Sequence, residues 1–340
     1  MRCLVIGLGG IGQRHVRNLR TLCGDAVDII AYRVRRDTPL LTDALQVASA
    51  ESVEDHYGIR TFSDLNSALA EKPDFAFICN PSSLHVPIAL AVAEAHCHLL
   101  IEKPLSDGLD GIDSLIETCE RKGLVALVAY QWRFHPLLIR VRSLLEEGAL
   151  GQLVSVQAEV GEYLPGWHPY EDYRRMYAAR RDQGGGVILS QIHEMDYLYW
   201  LFGAPSRVVA MGGTRSRLSI DVEDTAAILM DMGGLPVEVH EDYLQRPGRR
   251  ALRIVGDNGV IVADLLAPRL TVFNEGMLVE EAMFEGFARN QLFLDEMRHF
   301  LDCVTGKAKP VVTLRDGAVS LRMALSARVS LEIGRIVPIA

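Results

Sequence analysis

The sequence contains no C-x-x-C pair and no cluster of cysteine with histidine; its six cysteines stand apart at 3, 23, 79, 97, 119 and 303. That spacing excludes a zinc finger and gives no disulfide framework, so the thiols read as small apolar fillers in a reducing compartment, and no metal is expected. No apolar run approaches the ~18 residues needed to cross a bilayer, so no helical membrane span is expected. Glycine appears by position 7, which leaves no room for a signal-peptide apolar region, and a cytoplasmic location is expected. There is no basic block or arginine-rich arm, and the formal net charge is −9, which argues against nucleic acid as a partner. Repeats, low-complexity stretches and disordered linkers are also missing.

What is present is a chain of 340 residues, 49% apolar, long enough for two domains with sizeable cores. Residues 2–6, RCLVI, break into GLGGIGQRH, and Ile11, Val16, Leu19 and Leu22 then follow helical spacing. Strand, glycine turn and helix place Gly7, Gly9 and Gly12 as G-x-G-x-x-G. The first glycine permits the tight turn, the second lets a pyrophosphate approach the backbone, and the third lets helix pack on strand. Apolar runs at 26–32, 59–62, 73–80, 97–103 and 123–130 alternate with helical segments, which predicts a parallel sheet covered on both faces. Ligands of such sheets bind beyond the carboxyl ends of the strands, where Asn80 and Lys103 lie. CHLLIEKPLS, residues 97–106, thus ends a strand on a lysine that is either a snorkelling surface charge or a placed proton donor. The second strand closes on Arg33, followed by Arg35 and Arg36, where an acid for the ribose of NAD is usual. Guanidinium groups suit the 2′-phosphate of NADP, so NADP is expected slightly ahead of NAD; the alternative is a solvated basic loop.

After residue 130 the alternation stops. A helix over about 135–148, a long strand LVSVQAEV, several alternating strands and helices over about 286–304 and 314–333 predict an α+β domain with one broad, largely antiparallel sheet. The boundary is placed near 125, giving 1–124 and 125–340. After the long strand the loop 162–183 carries Trp167, His168, Tyr170, Tyr173, Arg174, Arg180 and Arg181, suited either to gripping an acidic or nucleotide-linked sugar or to packing on a neighbouring subunit. Tyr243 and Arg246, at another strand end, suit the same pocket or an interface. GGGVILSQIHEMDYLYWLFG, residues 184–203, reads as one helix with Ser190, His193 and Asp196 on a common face.

GLGGIG, NPSSLH (80–85), IEKP (101–104), YQWRFHP (130–136) and GGGVILSQIHEMD (184–196) fall in order along the chain. Together they resemble the Gfo/Idh/MocA oxidoreductases, the glucose-fructose oxidoreductase and inositol dehydrogenase family. The resemblance implies an α/β fold, an N-terminal Rossmann dinucleotide-binding domain followed by a C-terminal domain whose sheet forms a homodimer or homotetramer. It implies hydride transfer between NAD(P) and a hydroxyl-bearing carbon of a sugar or cyclitol, with Lys103 and His193 catalytic. Cofactor contacts are implied at Gly7, Gly9, Gly10, Ile11, Gly12, Asn80, His85, Glu102 and Lys103, with Arg33 and Arg35 at the adenosine end. Substrate contacts are expected from Arg133, Trp167, Tyr173, Arg174, Ser190, His193 and Tyr243. One departure stands out: many members carry aspartate four residues before the histidine, whereas here Ser190 stands three before His193. Asp196 or Glu194 then remains to orient the histidine. A cofactor- or sugar-sensing protein that lost turnover, and NAD-dependent glycoside cleavage, remain as alternatives.

Overall fold

The computed structural model describes residues 1–35, 38–49 and 51–339, so Arg36 lies outside the described residues. The first part of the chain runs β1 (Arg2–Ile6), α1 (Gly10–Cys23), β2 (Asp28–Tyr32), β3 (Leu40–Leu41), β4 (Val47–Ser49), α2 (Val53–Tyr57), β5 (Arg60–Phe62), α3 (Leu65–Leu69) and β6 (Phe75–Ile78). It continues with α4 (His85–Glu94), β7 (His98–Glu102), α5 (Ile112–Lys122) and β8 (Ala126–Ala129). Six of these strands form a parallel sheet in the order β5-β2-β1-β6-β7-β8. Leu4, Val5 and Ile6, and all of Phe75–Ile78, are buried, as strands covered on both faces must be. The order reverses between β1 and β6, and that switch point opens a crevice above their carboxyl ends.

β8 pairs with β7, so the first sheet runs past the expected boundary at 125. The second part consists of α6 (Pro136–Glu146), β9 (Leu153–Gly161), α7 (Val187–Ser190), α8 (His193–Phe202), β10 (Arg207–Gly213), β11 (Thr225–Met232), β12 (Leu235–Asp242) and β13 (Arg249–Gly256). β14 (Gly259–Asp264), β15 (Arg269–Asn274), β16 (Met277–Met283), α9 (Asn290–Val304), α10 (Leu314–Ile333) and β17 (Val337–Pro338) complete it. Its nine strands form one sheet, β16-β15-β14-β13-β9-β12-β11-β10-β17, antiparallel except where β12 runs alongside β9. β10 to β13 alternate buried and exposed residues, because one face packs on helices and the other stays open.

α9 does not stay with this sheet. Met297 and Phe300 join Val5, Phe75 and Phe77 in the core of the first domain, with the Phe300 ring 5.8 and 5.9 Å from the other two. Fully burying a side chain of this size contributes about 1.5–3 kcal/mol. α9, late in the chain, therefore returns to cover the first sheet, an arrangement that a division at one chain position does not capture.

Candidate active site

The glycine turn follows β1 at the switch point. Gly7 has φ +92°, and a Cβ there would lie 3.1 Å from the Cys79 carbonyl oxygen, just after β6. A Cβ on Gly12 would fall 2.0 Å from the Gly7 carbonyl oxygen, so α1 packs against the turn only because that position is glycine. Gly9 has nothing within 4 Å of its Cβ position, leaving the backbone open to a ligand. The fourteen-residue α1 starts at Gly10 and points its unpaired amides into the same space. Asn80 Oδ1, on the other side of the crevice, is buried without a partner. An open glycine backbone, a helix N-terminus and an orphaned acceptor fit the phosphates and ribose of a dinucleotide.

The ends of β7 and β8 bring the chemistry. Lys103 Nζ donates to the Ser190 carbonyl oxygen at 2.7 Å, which bridges the two domains. An ammonium carries three protons, so one neutral acceptor leaves it under-satisfied. Glu102 turns away from the crevice and meets His15 of α1, Oε1 to Nε2, at 2.7 Å. The ring nitrogens of His85 lie 2.8 Å from the carbonyl oxygens of Asn80 and Pro104, tying together the loops after β6 and β7. Glu102 and His85 thus brace the strand ends that hold Asn80 and Lys103.

His193 opens α8 and is 3% exposed, with Nε2 3.4 Å from Gln131 Nε2 and Nδ1 unpartnered. The Tyr130 ring meets it edge-on at 5.8 Å. Burial, reinforced by the charges of Lys103, Arg250 and Arg289, drives its pKa well below the ordinary histidine value. The imidazole is un-ionised at neutral pH, the form in which a ring nitrogen can accept a proton. Glu162, just after β9, is pushed up by burial, but Arg250, Arg289 and Lys103 outweigh that and hold it below its usual value. Arg250 is buried under this cluster, 2.9 Å from Glu194 and 4.3 Å above the Trp132 ring, and donates to Gln191 at 2.8 Å. Burial raises Glu194 to about 7 against the pull of Arg250.

Residues 1–130 match the model described as the oxidoreductase family with an NAD-binding Rossmann fold, and residues 138–262 match the Gfo/Idh/MocA C-terminal domain. The chain belongs to the Gfo/Idh/MocA family. As a member it is an NAD(P)-dependent oxidoreductase of CH–OH groups. It is 24% identical to the myo-inositol 2-dehydrogenase of Thermotoga maritima, over 98% of this chain and 96% of that protein. It is 23% identical to the scyllo-inositol 2-dehydrogenase (NAD(+)) of Bacillus subtilis, over 98% and 95%. In fold it resembles the WlbA dehydrogenase of Bordetella pertussis, solved with NADH and UDP-GlcNAcA: TM-score 0.80, 24% identity, covering 100% of this chain and 99% of that one.

Within this Gfo/Idh/MocA site several expected residues take other places. The helix expected over 184–203 is broken at Gln191–Ile192, so Ser190 ends α7 and His193 starts α8. Asp196 does not orient the histidine; Arg133 grips it in a buried fork, Nε to Oδ2 at 2.9 Å and Nη2 to Oδ1 at 2.7 Å. Arg133 is thereby withdrawn from the substrate as well. Glu194 faces Arg250. Arg33 is buried, its Nη1 donating to Glu54 at 3.0 Å and its Nε to the Arg35 carbonyl at 2.8 Å, while Nη2 is buried without a partner. In the loop 162–183, Tyr173 donates to the Leu218 carbonyl at 2.7 Å, and the exposed Arg174 pairs with Asp172 at 3.2 Å. Trp167 packs edge-on to the buried Tyr243 at 5.4 Å, and Tyr243 donates to the Ala178 carbonyl at 3.2 Å. Ser190 Oγ is buried without a partner.

Gln131, Glu162, Arg250 and Arg289 were not anticipated. Arg250 had a signal: with Leu252 and Ile254 it occupies the alternating positions that face the core, where an arginine needs a partner.

Proposed function

We propose that this chain moves a hydride between NAD(P) and a hydroxyl-bearing carbon of a sugar or cyclitol, with Lys103 and His193 as its catalytic residues. The observation that carries the proposal is the meeting of an under-satisfied ammonium at the end of β7 with the segment that leads into the buried, un-ionised His193, across the domain junction. When bound, the dinucleotide supplies the hydride acceptor or donor. The protein moves the proton. In the oxidative direction His193 takes the hydroxyl proton while Lys103 stabilises the developing alkoxide; in the reductive direction the protonated imidazole returns it. A protein retained only for sensing needs a binding cleft, not a base kept neutral next to an ammonium.

Since Arg33 is engaged by Glu54, the weight of the cofactor reading moves from NADP toward NAD. The open face of the nine-stranded sheet carries Val154, Met211 and Leu229, each about half exposed or more, and suits contact with a second copy of the chain. The test is absorbance at the reduced nicotinamide band with NAD+ or NADP+ and a panel of inositols, aldoses, uronic acids and amino sugars. Turnover with at least one member is expected. Tight dinucleotide binding with no turnover across the panel favours the sensing protein instead.

A further inference from the structure

We propose that Tyr170, carried by the loop of the second domain, is a cofactor ligand, its hydroxyl closing over the first turn of α1 to donate to the pyrophosphate. The proposal rests on the preceding reading that the crevice holds NAD(P). A Cβ placed on Gly10, the first residue of α1, would lie 3.4 Å from the Tyr170 hydroxyl oxygen and 3.1 Å from Leu45. The phenol therefore stands where the glycine turn presents its backbone to a phosphate, and not at the sugar end beside Lys103 and His193. The hydroxyl takes the Gly10 amide, and its one proton, held by Glu171 in this structure, turns to a phosphate oxygen when the dinucleotide binds.

The loop is braced for that position. The Tyr170 ring stacks on His168 with centroids 5.2 Å apart and planes 18° apart, and its hydroxyl lies 3.3 Å from His168 Nδ1. His168 Nδ1 in turn lies 2.8 Å from Glu171 Oε1. Arg35, just beyond β2, acts electrostatically on both Tyr170 and Glu171, so the loop is also linked to the strand end that borders the adenosine ribose. Burial keeps the Tyr170 phenol protonated, as a donor requires. The segment that its composition assigned to the sugar then seals the cofactor, and it must lift for the dinucleotide to exchange.

NADH titration by nicotinamide fluorescence tests this on wild type, Tyr170→Phe and Glu171→Gln. Losing a hydrogen bond to a charged group predicts about tenfold or more weaker NADH binding for Tyr170→Phe. ADP-ribose, which keeps the pyrophosphate and lacks the nicotinamide, should weaken by the same factor. Glu171→Gln should weaken NADH by a few-fold. In wild type, NADH should slow amide hydrogen exchange across residues 166–172, a readout that needs no variant to fold. Unchanged or tighter NADH binding by Tyr170→Phe overturns the proposal, as does unaltered exchange in that segment. Failure of wild type to bind NADH or NADPH would instead overturn the cofactor reading itself.

Discussion

β7 and β8 lie side by side, and each leads into a base, yet the two bases have opposite surroundings. Arg133, after β8, is 6% exposed and is filled by both oxygens of Asp196 and the Val311 carbonyl, with Asp316 3.8 Å away. Lys103, after β7, has one neutral carbonyl for its ammonium. A cation whose donors are all engaged holds elements together; a cation with protons to spare meets a substrate. The same contrast separates the histidines: His135 is buried against the Leu265 carbonyl away from the crevice, while His193 keeps a bare nitrogen within it.

The scaffold side of the comparison gives the largest expected effect. Arg133→Met keeps the bulk and strands Asp196 as an unpaired buried charge, which costs about 3–5 kcal/mol. Urea denaturation should show that loss; a midpoint unchanged from wild type would place Arg133 outside the scaffold.

Acid comes next. Burial lowers His135 to about 4 and drives His193 well below its ordinary value. Each stays neutral in the fold while the unfolded chain protonates near 6.5. The stability they carry is therefore complete above that value and is lost as pH falls toward 4. For His135 alone the loss is on the order of 3 kcal/mol by pH 4. Glu194, raised to about 7, acts in the opposite sense: its contribution is complete below its ordinary value of 4.5 and is lost as pH rises through about 7. Denaturation at stepped pH should show stability falling from pH 6.5 to 4, with a shallower fall after His135→Gln. Parallel curves for wild type and variant would contradict the histidine's depressed pKa.

The smallest effect belongs to Ser190. Its backbone carbonyl, not its hydroxyl, receives Lys103, and Oγ has no partner. Ser190→Ala retains the carbonyl, so turnover should fall by no more than one neutral hydrogen bond, about 0.5–1.5 kcal/mol or within ~10-fold. A loss as large as that of His193→Ala would make the serine a proton relay.

Much of this was legible along the chain. The parallel sheet followed from apolar runs between helical periods, and the turn from glycine spacing, because both depend on neighbours in sequence. The broad second sheet was legible from alternation, although β15 and β16 at its edge went unnoticed. The site was legible only in part. Regular helical spacing put Ser190, His193 and Asp196 on one face, but the chain breaks at Gln191–Ile192, and the local period no longer applies. Arg133 finds Asp196 across 63 positions, Arg250 meets Glu194 across 56, and α9 crosses back to the first sheet. Such pairings are decided by packing between distant elements, and no local pattern records them.

Lys103→Met separates the two kinds of base most directly, because it keeps the side-chain length and removes every donor. Three readouts on the same preparation are needed: thermal unfolding, NADH affinity, and turnover with whichever sugar or cyclitol the panel yields. Unfolding and NADH affinity should stay near wild type while turnover drops at least ~100-fold, as expected on losing a positioned proton donor. Turnover within a few-fold of wild type would contradict Lys103 as the catalytic cation of this site, and a collapsed melting temperature would class it with Arg133.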